Sequence, residues 1–269
     1  MKRLISIAGA LTLAVAVLVL VQCEGLTGGK PLNPKVEADT DSTVKVSWTA
    51  PTEGTPDKYL VSFQEVGGSG FTQIYEGTST SCLHDPDGAT GTYKIEAKFG
   101  STTYAADVNP STVPINTAAA TVAELNAAGN SGYGWDRTSG SGQTYSMTQA
   151  SNAALVDFYF TDFETSPVVY SIASPDLGPT DPGNVVPAGS WRVNAFTDPL
   201  TNETAPLPSH NPNAYFNYRD ITQTPLLTGC YTEDGYYALV KLDGLNTGDK
   251  TIQATTWFQL VKGLRLIKH

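Results

Sequence analysis

From Pro31 onward, apolar and polar residues alternate in short runs separated by clusters of Gly, Pro, Asn and Asp. Because successive side chains of a β-strand point to opposite faces, this period of two predicts strands whose sheets bury one face. We therefore predict an all-β protein. The clearest runs place three sets of apolar residues on one face each: Val44, Val46 and Trp48; Tyr59, Val61 and Phe63; Tyr93, Ile95, Ala97 and Phe99.

The N-terminus has a different pattern. Lys2 and Arg3 precede an uncharged run, Leu4 to Val21, and the chain then turns polar, which is typical of an export signal. The run is just long enough to cross a bilayer, so a retained anchor and simple secretion are the alternatives. No aromatic belt or basic cluster follows the run, which favours cleavage.

The end of this run resembles the lipobox of bacterial lipoproteins, with Leu20, Val21 and Gln22 before Cys23. Gln22 departs from the Gly, Ala or Ser usual in that motif. The resemblance implies a signal peptide over residues 1–22, a lipidated Cys23 and a tether over residues 23–30. Two or three acyl chains would hold the protein on a membrane of the cell envelope, facing the periplasm or the cell surface.

Charge restricts the partners. The formal net charge is −10, and loss of Lys2 and Arg3 with the signal would make it more negative. Such a surface repels phosphate backbones and anionic headgroups, so we predict no nucleic-acid partner and membrane contact only through the lipid on Cys23.

Two cysteines remain once Cys23 is acylated. Cys82 and Cys230 can form a disulfide in an exported protein, or stay separate buried thiols. We favour separate thiols because the two positions fall in different predicted domains.

Residues 31–113 resemble a fibronectin type III module, on the strength of "VSWTAP" with Trp48, "KYLVSF" with Tyr59 and "GTYKIEA" with Tyr93. The resemblance implies a β-sandwich with Trp48 in the core between two sheets. It also implies that Tyr93 forms the tyrosine corner of that fold.

Beyond a Pro-rich break, residues 117–269 are predicted to form a second, larger β-rich domain. Val122 and Leu125, three apart, suggest a short helical turn after the break, and Asp234–Gly235 marks a hairpin. Each alternation pattern is complete on its own side of the break. We therefore expect each half to close its own core.

The closing strands, "DGYYALVKLDG" and "TTWFQLVKG", faintly resemble those of HmuY-like envelope lipoproteins. This resemblance implies fold and location only. Haem-binding relatives hold iron through side chains such as His, and His210 is the one plausible ligand here, in a loop that matches no family motif. We predict no cofactor.

The sequence carries no motif for nucleophilic, phosphate-binding or zinc-dependent catalysis. Asp157, Asp162 and Glu164 allow a glycosidase-like carboxylate pair, although Asp157 on an alternating strand most simply faces water. Asp85 and Asp87 suggest half of a calcium loop, but a polar turn explains them better. We predict neither an enzyme nor a metal site.

Aromatic residues in loops are the most suggestive feature for binding. Trp135, Trp191, Tyr215 and Tyr218 are candidates for a surface that stacks sugars or peptides, and the alternative is that they build sheets and corners. We predict a membrane-tethered, non-catalytic binding or scaffold protein with a protein or glycan partner. The alternative is a haem- or glycan-binding surface lipoprotein that uses its C-terminal β domain.

Overall fold

The structure, a computed structural model, describes residues 28–269, so the export signal and Cys23 lie outside the described residues. Within that range no helix is both long and apolar enough to cross a membrane. Apart from two short 3₁₀ helices, Ala150–Asn152 and Pro175–Thr180, the regular structure is all β-strand. The predicted all-β class is confirmed.

Seven strands form an N-terminal sandwich of two antiparallel sheets. The sheet orders are β1-β2-β5 and β4-β3-β6-β7, an arrangement that confirms the predicted fibronectin type III β-sandwich. The strands are β1 (Leu32–Ala38), β2 (Val44–Thr49), β3 (Lys58–Glu65), β4 (Thr72–Gly77), β5 (Ser81–His84), β6 (Gly91–Phe99) and β7 (Thr102–Ala105).

The core of the sandwich follows the alternation of the sequence. Along β6, every second side chain from Gly91 to Phe99 is buried, as a strand with one covered face requires. Trp48 lies between the sheets, with its ring 5.2 Å from that of Tyr59 in an edge-to-face arrangement. The position implied for Trp48 by the resemblance is therefore observed.

Tyr93 departs from the family pattern. Its side chain is fully buried, and its hydroxyl lies 2.9 Å from Nδ1 of His84, at the end of β5. The tyrosine corner expected here would use a backbone group just upstream instead. A buried phenol needs a hydrogen-bond partner, and in this chain the imidazole of His84 supplies it.

Eleven strands form the C-terminal region, again in two antiparallel sheets. A five-stranded sheet has the order β10-β9-β11-β12-β15, and a six-stranded sheet has the order β14-β13-β16-β17-β18-β8. The strands are β8 (Ile115–Ala123), β9 (Gly132–Trp135), β10 (Gly142–Tyr145), β11 (Phe158–Thr161), β12 (Ser171–Ala173), β13 (Ala195–Thr197), β14 (Tyr215–Phe216), β15 (Tyr218–Asp220), β16 (Leu226–Tyr231), β17 (Tyr237–Asn246) and β18 (Thr251–Phe258).

These two sheets pack on each other and are also covered on their outer faces. Phe158 and Phe160 of β11 enter the core between the sheets, whereas Tyr159 enters a core beneath the loops. On the six-stranded sheet, Leu239 and Trp257 belong to a further outer core. Loops rich in Pro and Gly thus supply a third and a fourth layer, and strands such as β11 are buried on both faces.

The strand β8 replaces the short helical turn predicted around Val122 and Leu125. It pairs along β18, and Val122 fits the core between the sheets. A single three-residue spacing is weak evidence for a helix. Here the backbone pairing that β18 offers at the sheet edge decides the structure instead. The hairpin predicted at Asp234–Gly235 is observed between β16 and β17, with Gly235 at a φ of +89°.

The last residues join the two halves of the molecule. We call residues 259–269 the C-terminal segment. Leu264 and Leu266 enter the core of the N-terminal sandwich, while the adjacent Ile267 enters the outer core of the six-stranded sheet. The expectation that each half closes its own core is therefore wrong, because neighbouring residues of one irregular segment enter the cores of both halves.

Cys82 and Cys230 are both free, so the disulfide alternative is not formed. Cys82 packs against the sandwich core and Cys230 lies in the core between the two C-terminal sheets. Burial raises the pKa of the Cys82 thiol to about 11, which keeps it protonated and unreactive at neutral pH.

Candidate functional site

The four aromatic residues predicted to form a ligand surface do not lie together. Trp135, Trp191 and Tyr215 are 3%, 5% and 4% exposed, whereas Tyr218 is 44% exposed. The first three belong to three different cores. The prediction that these three residues belong to a ligand surface is therefore wrong. Of the four, only Tyr218 is exposed to solvent.

The three buried rings satisfy their polar atoms inside the protein. Trp135 Nε1 donates to Thr256 Oγ1 at 3.0 Å. Trp191 Nε1 donates to the carbonyl oxygen of Pro187, and the Tyr215 hydroxyl to that of Pro208, each at 2.9 Å. A large aromatic whose polar atom has an internal partner stabilises a core at little polar cost, which explains why these residues are structural.

Tyr218 lines an open groove of about 450 Å³ beside the edge strand β15. We call it the Tyr218 groove. Tyr218 forms one wall, and Phe163 meets it edge-on with ring centroids 5.5 Å apart. The remaining lining residues come from the β11–β12 connection, β12, the second 3₁₀ helix, β15 and the residue before β15: Thr165, Val169, Ser171, Leu177, Asn217 and Asp220.

A tight turn after β11 holds Phe163 in place. Phe163 and Glu164 have φ values of +47° and +51°, in a region that non-glycine residues rarely occupy. The turn is fixed by hydrogen bonds: Phe163 N donates to Thr161 Oγ1 at 2.9 Å, and Glu164 N to Asp162 Oδ1 at 2.8 Å. These bonds offset the backbone strain and keep the ring at the groove wall.

The groove has few polar groups, and they converge. Asp220 Oδ1 accepts a 2.8 Å hydrogen bond from the hydroxyl of Ser171, which is buried. Asn217 and Asp220 are exposed on either side of Tyr218 along the chain. A fixed carboxylate, an amide and an accessible ring can contact a small polar ligand that also has an apolar face.

A second groove, of about 670 Å³, adjoins the first and shares Val169 with it. We call it the Lys250 groove. Lys250 Nζ lies 3.2 Å from Asp162 Oδ2 and 3.8 Å from Glu124 Oε2. Burial raises the pKa of Glu124, while the hydrogen bond to Asp162 raises the pKa of Lys250. The other lining residues are Val168, Tyr170, Ile221, Thr222, Leu245 and Thr247.

Asp157 does not face water, contrary to the sequence-based expectation; its side chain is fully buried. Arg137 binds it through two nitrogens, at 2.7 and 2.9 Å, and Arg192 binds Oδ1 at 2.8 Å. The amide N–H of Trp135 and the side chain of Asn194 add further bonds. This carboxylate is saturated with donors, so it is part of the structure and not half of a glycosidase pair.

Arg137 extends this network to the hairpin between β16 and β17. Its Nε donates to Asp234 Oδ2 at 2.7 Å, and its guanidinium carbon lies 5.2 Å from the ring centre of Phe258. Neither arginine was predicted from the sequence. One feature of the sequence did indicate that Asp157 is buried. It directly precedes β11, where apolar residues at consecutive positions mean that both faces of the strand are covered, and a buried carboxylate needs charged partners.

The remaining candidates are structural as well. His210 stacks on Tyr231 with ring centroids 3.9 Å apart. Asp87 N donates to Asp85 Oδ1 at 3.0 Å, which is the polar turn favoured over a calcium loop. Across residues 28–269, no group of three or more His, Cys, Asp and Glu side chains is placed to hold a metal ion.

Comparisons with known proteins return fibronectin type III structures. One titled "Structure of FN3tt mut" has 16% identity and a TM-score of 0.26, covering 31% of this chain and 91% of its own. A human FNIII domain has 21% identity and a TM-score of 0.27, covering 30% of this chain and 76% of its own. A two-domain segment of chicken tenascin has 13% identity and a TM-score of 0.27, covering 84% and 97%.

No family model and no curated protein matches the chain. Because the TM-scores are low, the fold assignment rests on the strand order and register described above.

Proposed function

We propose that this chain is a lipid-anchored protein of the cell envelope that holds a non-catalytic binding region away from the membrane. Cys23 is the anchor, residues 31–113 are the spacer, and residues 117–269 carry the binding surface. One observation supports this most strongly: the chain enters the sandwich at one end, and the C-terminal region packs on the other.

The entry end is defined by Gly28 and Gly29. A Cβ atom on Gly28 would collide with the rings of Phe99 and Tyr104, and one on Gly29 would collide with Pro51. Glycine therefore allows the chain to pass close to the ends of β2 and β6. Only four residues separate Gly28 from Cys23 in the sequence, a reach of at most about 18 Å from Cα to Cα.

The opposite end holds the C-terminal region. Arg265 Nε lies 3.2 Å from Asp41 Oδ1, in the connection between β1 and β2. Lys268 pairs with Glu65 at the end of β3, and its carbonyl oxygen accepts a hydrogen bond from Thr90. Strand β6, which starts next to Thr90 and ends at Phe99, gives the separation of the two ends as about 30 Å.

The Lys250 groove lies at the end of β18 that is remote from the sandwich. Strand β18 ends at Phe258, directly before Gln259, whose side chain donates to the carbonyl oxygen of Thr112 beside the sandwich. The same strand begins at Thr251, next to Lys250, so the Lys250 groove lies at the distal end of this strand. A spacer of this kind would present the grooves outward from the membrane.

Metabolic labelling tests the anchor. Cells that express the full chain should incorporate labelled palmitate into it, and Cys23→Ser should abolish both the label and recovery with membranes. Cys82→Ser is the matched control and should label like the wild type. Absence of label from the wild-type chain would show that the anchor assignment is incorrect.

Quenching tests the orientation. A fluorophore on Glu53→Cys, at the entry end, should be quenched by a quencher on lipid headgroups, and one on Asp249→Cys, at the distal end, should not. The native thiols Cys82 and Cys230 can be replaced by serine and alanine for this purpose. Equal quenching at both positions would contradict a spacer that stands away from the bilayer.

A further inference from the structure

We propose that the Tyr218 groove, together with the adjoining Lys250 groove, binds a neutral oligosaccharide. This assignment rests on the proposed function, because it requires an exported protein whose grooves face outward. It begins from the exposure of Tyr218. A tyrosine ring open to solvent in a groove offers a flat apolar face of the size of a pyranose ring.

The second exposed aromatic of this part of the chain provides a contrast. Phe216 is 38% exposed, but the guanidinium of Arg219 covers it at 3.4 Å from the ring centre. Tyr218 has no such cover among the cation–π contacts of residues 28–269; Phe163 is its ring neighbour, at an interplanar angle of 75°, and Tyr218 is still 44% exposed. The two exposed rings therefore differ, because a cation already stacks on Phe216 whereas none stacks on Tyr218.

The polar groups beside Tyr218 match sugar hydroxyls. A hydroxyl both donates and accepts, so recognition needs acceptors and donors side by side. Asp220 is an acceptor oriented by Ser171, and the amide of Asn217 supplies two donors and an acceptor. A wholly apolar ligand would remove these groups from water without offering them hydrogen bonds, which costs free energy.

Charge favours a neutral ligand. Asp220 and Glu164 lie at or beside the groove, and the formal net charge of the chain is −10. An acidic polysaccharide would be repelled. The one cation among the lining residues of the two grooves, Lys250, is already paired with Asp162 and Glu124.

Length favours more than one sugar ring. The two grooves share Val169, and their combined lining runs from Leu177 past Tyr218 to Lys250. Each groove, at about 450 and 670 Å³, exceeds the volume of a single pyranose ring. A linear chain of several rings could cross Val168 and Val169 from one groove into the next.

Titration calorimetry with the unlipidated chain, residues 24–269, tests the proposal. The probes are hexasaccharides of glucose, xylose, mannose and N-acetylglucosamine, with hexagalacturonate as the acidic control. At least one neutral probe should bind with a Kd of about 1 mM or tighter, and hexagalacturonate should not bind. No neutral binder, or preference for the acidic probe, would overturn the proposal.

Variants locate the binding. Tyr218→Ala should weaken it by about tenfold or more, whereas Tyr218→Phe should retain it because the ring face is kept. Phe216→Ala is the matched control, an exposed aromatic outside the groove, and should bind like the wild type. Asn217→Ala, at an exposed position, should weaken binding several-fold.

Equal binding by Tyr218→Ala and the wild type would place the ligand elsewhere and contradict the assignment. Binding of an apolar peptide at the groove, with no saccharide binding, would contradict the ligand class. These outcomes are distinct from failure of the anchor: loss of saccharide binding with intact palmitate labelling of Cys23 overturns only this inference, and the reverse result overturns only the anchored location.

Discussion

The two ends of the N-terminal sandwich are closed in different ways. At the entry end, Trp48 and Phe99 close the core with side chains of the sandwich itself, and Gly28 lies against Phe99. At the other end, Leu264 and Leu266 complete the core, although they lie more than 150 residues farther along the chain.

This difference teaches that a module recognisable from its sequence need not be an independent folding unit. The entry end is self-contained, because side chains of the sandwich itself complete the core there. The other end shares its core with the C-terminal region. Gln259 holds the C-terminal segment in place, because its side-chain amide donates to the carbonyl oxygens of Thr112 and Leu266 at 2.9 and 2.7 Å. A shared core restricts motion between the sandwich and the C-terminal region.

The largest expected effect is at the shared end. Replacing both Leu264 and Leu266 with alanine should lower the free energy of unfolding by about 4 kcal/mol or more, because each buried leucine leaves a cavity. Leu32→Ala, at the entry end and partly exposed, should cost less than about 1 kcal/mol. Urea unfolding followed by tryptophan fluorescence measures both, and equal costs would remove the distinction between the ends.

A smaller effect is expected in the C-terminal region, where a buried charge network adds to the apolar cores between the layers. Asp157→Asn should cost about 2 to 3 kcal/mol, because it leaves the partly buried Arg137 and Arg192 without their shared carboxylate. Asp198→Asn is the control, since that carboxylate is mostly exposed although it pairs with Arg219. Thermal unfolding measures the difference, and a neutral Asp157→Asn would show that the network contributes no stability.

These comparisons also show what a sequence can predict. The strands β2, β3 and β6 were predictable because alternation and turn residues are local, and the Asp234–Gly235 hairpin was predictable for the same reason. Leu264 and Leu266 lie in no regular strand, so no alternation of apolar and polar residues indicates that they are buried. Trp135 and Trp191 lie in Gly-rich stretches that are typical of loops. Segments distant in the chain cover them, so their burial could not be predicted locally.

The candidate site was predictable to the same limited degree. Tyr218 was among the residues singled out, but Asp220, Asn217 and Phe163 were not, because the groove forms where the β11–β12 connection meets β15. Those two segments are about 50 residues apart, and nothing local in either indicates the other.

The smallest expected effect concerns pH. Burial lowers the pKa of His84 below its ordinary value of 6.5, with Asp85 opposing the shift. The unfolded chain therefore binds more protons than the folded one just below pH 6.5, so this contribution to stability is present above that pH and is lost as the pH falls. His84→Gln, which retains a partner for Tyr93, should flatten the decrease in unfolding free energy between about pH 7 and 5. An unchanged pH profile would show that His84 does not contribute to it.

The most direct test of the shared core uses the two native thiols, one in each half. In the chain beginning at Glu24, Cys82 and Cys230 can be pulse-labelled at increasing urea concentrations and the modified peptides counted by mass spectrometry. If the sandwich and the C-terminal region share a core, both cysteines should become reactive at the same urea concentration, and the Leu264→Ala, Leu266→Ala variant should expose Cys82 first. Separate transitions for the two cysteines in the wild-type chain would contradict the shared core.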